Sequence, residues 1–263
     1  MNKKLLHKFS LALYLLIIIL TLIYYGYLGF RYYSLPIVDR YYDPMYNQLK
    51  PSGSIGHWLG IVGTAFILFA VVIYMARKRL KIFRGIGTMK YWLEFHIFLC
   101  TLGSVLVLFH TTFKFGGIVS VAFWSMAMVW LSGFVGRYIY VQIPRTIDGR
   151  ELSLKEVQDL RASFEAELMT KYKLDINQLE SLKISKIGKQ LKANNISKDE
   201  IKKINQLINK ERHFARRINR LNSMRNLFKK WHVIHLPFSI VMLVITIIHI
   251  GVALYFGYTG FFK

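Results

Sequence analysis

The sequence predicts an all-α integral membrane bundle of five transmembrane helices with a cytoplasmic helical-hairpin insertion. Three observations predict it. Hydrophobic residues make up 54% of the 263 positions and aromatics 15%, more than a water-soluble domain of this size carries. The apolar residues fall into five runs, each long enough to cross roughly 30 Å of hydrocarbon at about 1.5 Å per residue. The one sizeable hydrophilic stretch, from about 143 to 230, holds 11 of the 14 acidic residues.

The first run, Leu11 to Phe30, follows Lys3, Lys4 and Lys8. It is longer than the apolar core of a signal peptide and lacks an A-x-A site, so an uncleaved first crossing is expected. Further runs cover Gly56 to Ala76, Trp92 to Phe113, Ile118 to Val141 and Val233 to Tyr255. Between the second and third lie Arg77, Lys78, Arg79, Lys81, Arg84 and Lys90, whereas the link after the third holds only Lys114. The positive-inside rule puts the former in the cytoplasm, the N-terminus inside and the C-terminus outside, in a bacterial cytoplasmic (inner) membrane. The outer segment Arg31 to Ile55, rich in tyrosine, is expected to be an ordered loop. The division is then 1–142 for the first four crossings, 143–230 for the insertion, and 231–263 for the fifth crossing and outer end.

In the insertion, Ser153 with Glu156 and Ser197 with Glu200 fit capping boxes. Val157, Leu160, Phe164 and Leu168 follow the first, and Leu207, Phe214, Leu221 and Phe228 the second, as two helices packing as a hairpin would require. Arg212, Arg216, Arg217, Arg220, Arg225, Lys229 and Lys230 lead into the last run and suit anionic lipid headgroups. The net charge of +22 therefore has a topological meaning, and nucleic acid is not an expected partner. A single cysteine, Cys100, excludes an internal disulfide, a Cys-ligated iron–sulfur cluster and C-x-x-C-H haem attachment.

Chemistry is concentrated in four histidines. His96 and His110 lie in the third run, His235 and His249 in the fifth, and each pair is 14 residues apart, since 110 minus 96 equals 249 minus 235. Fourteen helical residues turn through about four turns less about 40° and rise about 21 Å, so both rings of a pair leave nearly one face at two depths. Five alternating crossings make the third and fifth helices parallel, which sets His96 level with His235 and His110 level with His249. Two facing imidazoles at one depth can clamp a porphyrin through neutral ring nitrogens, giving six-coordinate iron. Two haem b groups are therefore expected, with quinone as a further candidate ligand.

Each histidine taken alone is as well explained by interhelical hydrogen bonding, and it is the repeated offset that favours haem. Zinc fits poorly, because the nearest acid, Glu94, points to another face than His96. Gly103, midway between His96 and His110, and Gly133 with Gly136 allow close approach of a helix or a macrocycle. Among Arg84, Lys90, Arg137 and Lys230, Arg137 is the favoured counter-charge for an inner propionate. His57, Tyr32 and Tyr33 are candidates for a quinone site, His232 is out of register, and His7 and His213 read as solvated. Pro237 predicts a start or kink of the last helix near His235.

The H-x13-H pattern on two parallel helices resembles the bis-histidine dihaem core of the ferric reductase and NADPH oxidase superfamily and, more loosely, bacterial dihaem cytochrome b subunits. The resemblance runs from the second to the fifth crossing. It implies that His96 and His235 ligate an inner haem and His110 and His249 an outer one. No G-x-G-x-x-G fingerprint occurs in this sequence, so direct use of NAD(P)H through the flavin and nicotinamide domains common in that superfamily is not expected of it. The expected role is an electron-transfer subunit of a hetero-oligomeric oxidoreductase complex, with redox partner proteins on one or both faces and membrane lipid around it. The rival is a haem-free scaffold or sensor whose helical insertion recruits cytoplasmic partners.

Overall fold

The computed structural model describes residues 3–142, a few positions between 158 and 170, and residues 198–256. Among these residues every regular element is a helix and no strand occurs. The main elements are α1 (Lys3–Leu28), α2 (Phe30–Ser34), α3 (Tyr46–Leu49), α4 (Ser54–Arg79), α5 (Met89–His110), α6 (Ile118–Gln142) and α7 (Lys198–Tyr255), with 3-10 turns at Asp39–Tyr42 and Lys81–Gly85. Five stretches, in α1, α4, α5, α6 and the latter part of α7, are long and apolar enough to cross a membrane. In α1 and α7 the most apolar stretch contains no buried residue. Side chains such as Leu16, Ile23, Val244 and Ile248 stand open, a surface that water would penalise and hydrocarbon would not.

The chain divides into two compact units, one of residues 1–137 with 231–263 and one of residues 138–230. In the second, Ile208, Ile218 and Leu221 are buried and Arg220 donates to Gln142 Oε1. The expected first hairpin helix and both capping boxes fall largely outside the described residues.

In the first unit, side-chain pairings set the direction of every helix. Along α1 and α5, His7 meets Tyr91, Tyr14 stacks on Phe98 at 4.3 Å, and Tyr25 tilts against Phe109, so the two helices run parallel. Against α4 the order reverses: His96 reaches Ala70, Gly103 faces Gly63, and His110 reaches Gly56. Helices α5 and α6 are antiparallel through Glu94 with Arg137 and Thr101 with Trp130. Helix α7 is antiparallel to α6, since Trp231 lies against Gly136 and His235 meets Ser132 one turn away in each helix. Four successive reversals therefore leave α1, α5 and α7 pointing one way, as five alternating helices require.

Glycine makes the α4–α5 seam tight. A Cβ on Gly103 would lie 2.6 Å from Gly63 O, and one on Gly63 would lie 2.8 Å from Gly103 O. Gly103 thus faces α4 and serves helix approach. Gly133 has open space beside it, whereas Gly136 takes the Trp231 ring.

Two boundaries differ from the sequence reading. Helix α5 stops at His110, and the expected continuation to Phe113 is replaced by a turn in which Thr112 and Phe113 have φ of 51° and 59°. Pro237 does not begin or break the last helix but lies inside α7. Where apolar surroundings offer the backbone no competing water, leaving one helical bond unmade costs less than unwinding a turn.

Candidate functional site: two histidine pairs

All four spaced histidines belong to the first unit and are partly buried. His110 and His249 are neighbours, with ring centroids 6.4 Å apart and planes at 63°. His235 has His96 within electrostatic reach. The helices therefore bring together the residues that equal depth would pair, His110 with His249 and His96 with His235.

Their hydrogen bonds settle which ring nitrogen carries the proton. His110 Nδ1 lies 2.8 Å from Gly56 O and His96 Nδ1 3.0 Å from Ala70 O. A carbonyl can only accept, so both Nδ1 atoms must donate. His235 Nδ1 lies 2.7 Å from Ser132 Oγ. That hydroxyl also reaches Val129 O at 2.8 Å, and it can donate to His235 Nδ1 or accept from it. In the neutral ring His96 and His110 then bear the lone pair on Nε2. A donor-anchored Nδ1 with a basic Nε2 is the arrangement a metal-ligating histidine uses, with the second partner fixing tautomer and ring orientation. The Cys100 thiol, a weak donor, stands 3.8 Å from His96 Nε2.

Spacing supports the same chemistry. Metal–imidazole bonds of roughly 2 Å put the centroids of two trans rings about 6 Å apart, close to the 6.4 Å of His110 and His249. Among the described residues no three His, Cys, Asp or Glu side chains converge.

The surroundings of the pairs differ. His110 is crowded from α4, where a Cβ on Gly60 would come within 2.8 Å of its Nδ1. Beyond it, the left-handed Thr112 and Phe113 are costly for residues with a Cβ, of order 1–2 kcal/mol each. The turn is secured by Arg40, which is 6% exposed and donates to Thr112 O at 2.6 Å, Leu35 O at 3.0 Å and Tyr33 O at 3.0 Å. Tyr32 lies under the guanidinium. Burial pushes the Tyr33 phenol up to about 12, so the phenol stays neutral at ordinary pH. The outer loop is thus a built cap of short helices over the end of α5.

At the other end, Glu94 is buried and collects Arg137 at 3.1 Å, His7 at 3.4 Å and Lys90 at 3.9 Å. This corrects the reading of His7 as solvated: α1 lies against α5 here, and the ring also meets Tyr91. Arg137, expected at a propionate, has its guanidinium on a carboxylate instead. His213 is exposed, as expected. His232 stacks its edge on Trp231, and His57 is within electrostatic reach of His110.

Sequence reasoning missed Ser132, Gly56, Ala70 and Gly60, each of which acts across a helix contact. Serine in an apolar run was the only local signal among them. No family model, no curated protein and no solved structure matches the chain.

Proposed function

We propose that this chain is a multi-pass membrane cytochrome b, with His96 and His235 holding an inner haem b and His110 and His249 an outer one. It passes electrons between a quinone or cytoplasmic donor and an outer-face acceptor, as a subunit of an oxidoreductase complex. The bacterial cytoplasmic membrane, with the N-terminus and the basic loops inside, is the setting that the charge distribution favours. The observation that carries the reading is the hydrogen-bonding state of the rings: His96 and His110, one from each pair, donate from Nδ1 to backbone carbonyls of α4, which leaves Nε2 as the basic nitrogen. A ring held in this tautomer presents Nε2 to a metal. An iron between paired rings satisfies two such nitrogens at once.

A six-coordinate haem supplies one-electron transfer with no open coordination position. The protein's own part is to hold and insulate. Gly56 O, Ala70 O and Ser132 Oγ fix the rings, and the stiff α4–α5 seam fixes the spacing of the two levels at about 21 Å of helix rise. Apolar helix faces exclude water. Acid–base groups are not needed for transfer of this kind, and the Glu94 cluster ties α1, α5 and α6 together at the inner end.

Single substitutions test this reading. His110→Ala and His249→Ala are each expected to remove the same redox component in a potentiometric titration, and His96→Ala and His235→Ala the other. The double variant His110→Ala with His249→Ala should match either single one, because both act on one cofactor. Four variants that all retain two low-spin components would end the assignment.

A further inference from the structure

Resting on the dihaem reading, we infer that Arg40 is the positioning residue of the outer pair, a clamp by which the loop of residues 31–55 holds His110 in register with His249. The observations form a closed chain. Helix α5 ends on His110, and the following turn would relax if left alone, since Thr112 and Phe113 stand at φ of 51° and 59°. Arg40 holds that turn by donating to Thr112 O at 2.6 Å. Its other bonds, to Leu35 O and Tyr33 O, both at 3.0 Å, make the cap itself the anchor. A guanidinium offers a planar fork of donors that suits several carbonyls at once.

The cap grips the ring as well as the backbone. It leads into α4 at Gly53, and Gly56, in the first turn of that helix, accepts from His110 Nδ1 at 2.8 Å. Gly56 has no room for a side chain, because the carbonyls of Leu49 and Lys50, both in the cap, press on it. His110 is therefore held from two directions by one segment. The inner pair is held differently, by Ala70 O on His96, Ser132 Oγ on His235 and the Trp231 ring beside His235. The buried Arg77 ties down the inner loop by donating to Ile86 O at 3.2 Å and Gly87 O at 3.0 Å, well before His96 in the chain.

The test uses the full chain purified from membranes. In Arg40→Ala the outer low-spin component should fall roughly ten-fold, the scale for losing a partner that orients a metal ligand, while the inner component keeps its amplitude and potential. Thr112→Gly removes the strain that the clamp opposes, since glycine takes positive φ freely. In the Arg40→Ala background it should restore at least half of the outer signal. If Arg40→Ala does not accumulate, Arg40→Lys carries the same expectation, because an ammonium cannot reproduce the fork. A readout independent of haem is acylation of His110 by diethyl pyrocarbonate, followed by mass spectrometry. It should rise roughly ten-fold in Arg40→Ala, with His96 unchanged. Equal loss of both components, no change in either, or no recovery with Thr112→Gly overturns the clamp. A wild-type protein without haem overturns the functional reading instead, and the acylation result then still decides the clamp.

Discussion

The two histidine pairs use one residue type at one spacing, yet they are held by different kinds of structure. His110 ends its helix and is fixed by a loop, through Gly56 O on the ring and Arg40 on the turn beyond. His96 and His235 sit within helices and take their partners from the bodies of α4 and α6, at Ala70 O and Ser132 Oγ. Helix ends can move without unpacking a bundle, whereas helix interiors cannot. The outer level should thus be the more easily perturbed of the two, by sequence change and by whatever docks on the cap.

The largest effect should come from steric change at the outer ring. Gly60→Val places branched carbons where a Cβ alone already comes within 2.8 Å of His110 Nδ1. It should abolish the outer redox component and leave the inner one, as read by potentiometric titration. Loss of both would mean that the α4–α5 seam is a single cooperative element.

Next in size, Ser132→Ala strips His235 of its Nδ1 partner while keeping the helix. The inner component should bind its cofactor roughly 10–100-fold more weakly, measurable as haem loss to an apo-protein acceptor. Ser132→Thr, which keeps the hydroxyl, should recover most of it. An outer component that fell with the inner would blur the distinction between the two levels.

How much of this was legible in the sequence follows from how local each signal is. The spacing of His96, His110, His235 and His249 is a property of single helices, so periodicity alone picks them out. The relative directions of the helices were legible too, because five apolar runs in succession must alternate. The partners of the rings were not. Gly56, Ala70 and Ser132 are ordinary residues whose roles arise when another helix arrives, and no pattern within a run marks them. The same holds for His7, which looks like part of a solvated leader until α1 lies along α5 beside Glu94. The turn at Thr112 was hidden for the opposite reason: threonine and phenylalanine carry no preference for positive φ, and only Arg40, far away in sequence, makes the conformation tenable.

Smaller effects are expected away from the rings. Glu94→Gln leaves His7, Lys90 and Arg137 without their shared carboxylate and should lower stability by roughly 1–3 kcal/mol, discounted for the partial exposure of the cations. Both redox components should survive, with thermal unfolding shifted down by a few degrees. The smallest effect belongs to His213→Ala, an exposed position that should stay within about 0.5 kcal/mol of wild type and leave both components untouched.

The central claim, that paired imidazoles hold two haems, is tested most directly by the reduced-minus-oxidised visible spectrum of the purified chain, with haem and protein quantified in the same sample. The account predicts low-spin b-type bands and about two haems per chain, since each low-spin iron takes two imidazoles. A protein that is folded and helical but colourless, or that holds only high-spin haem well below one per chain, would contradict it.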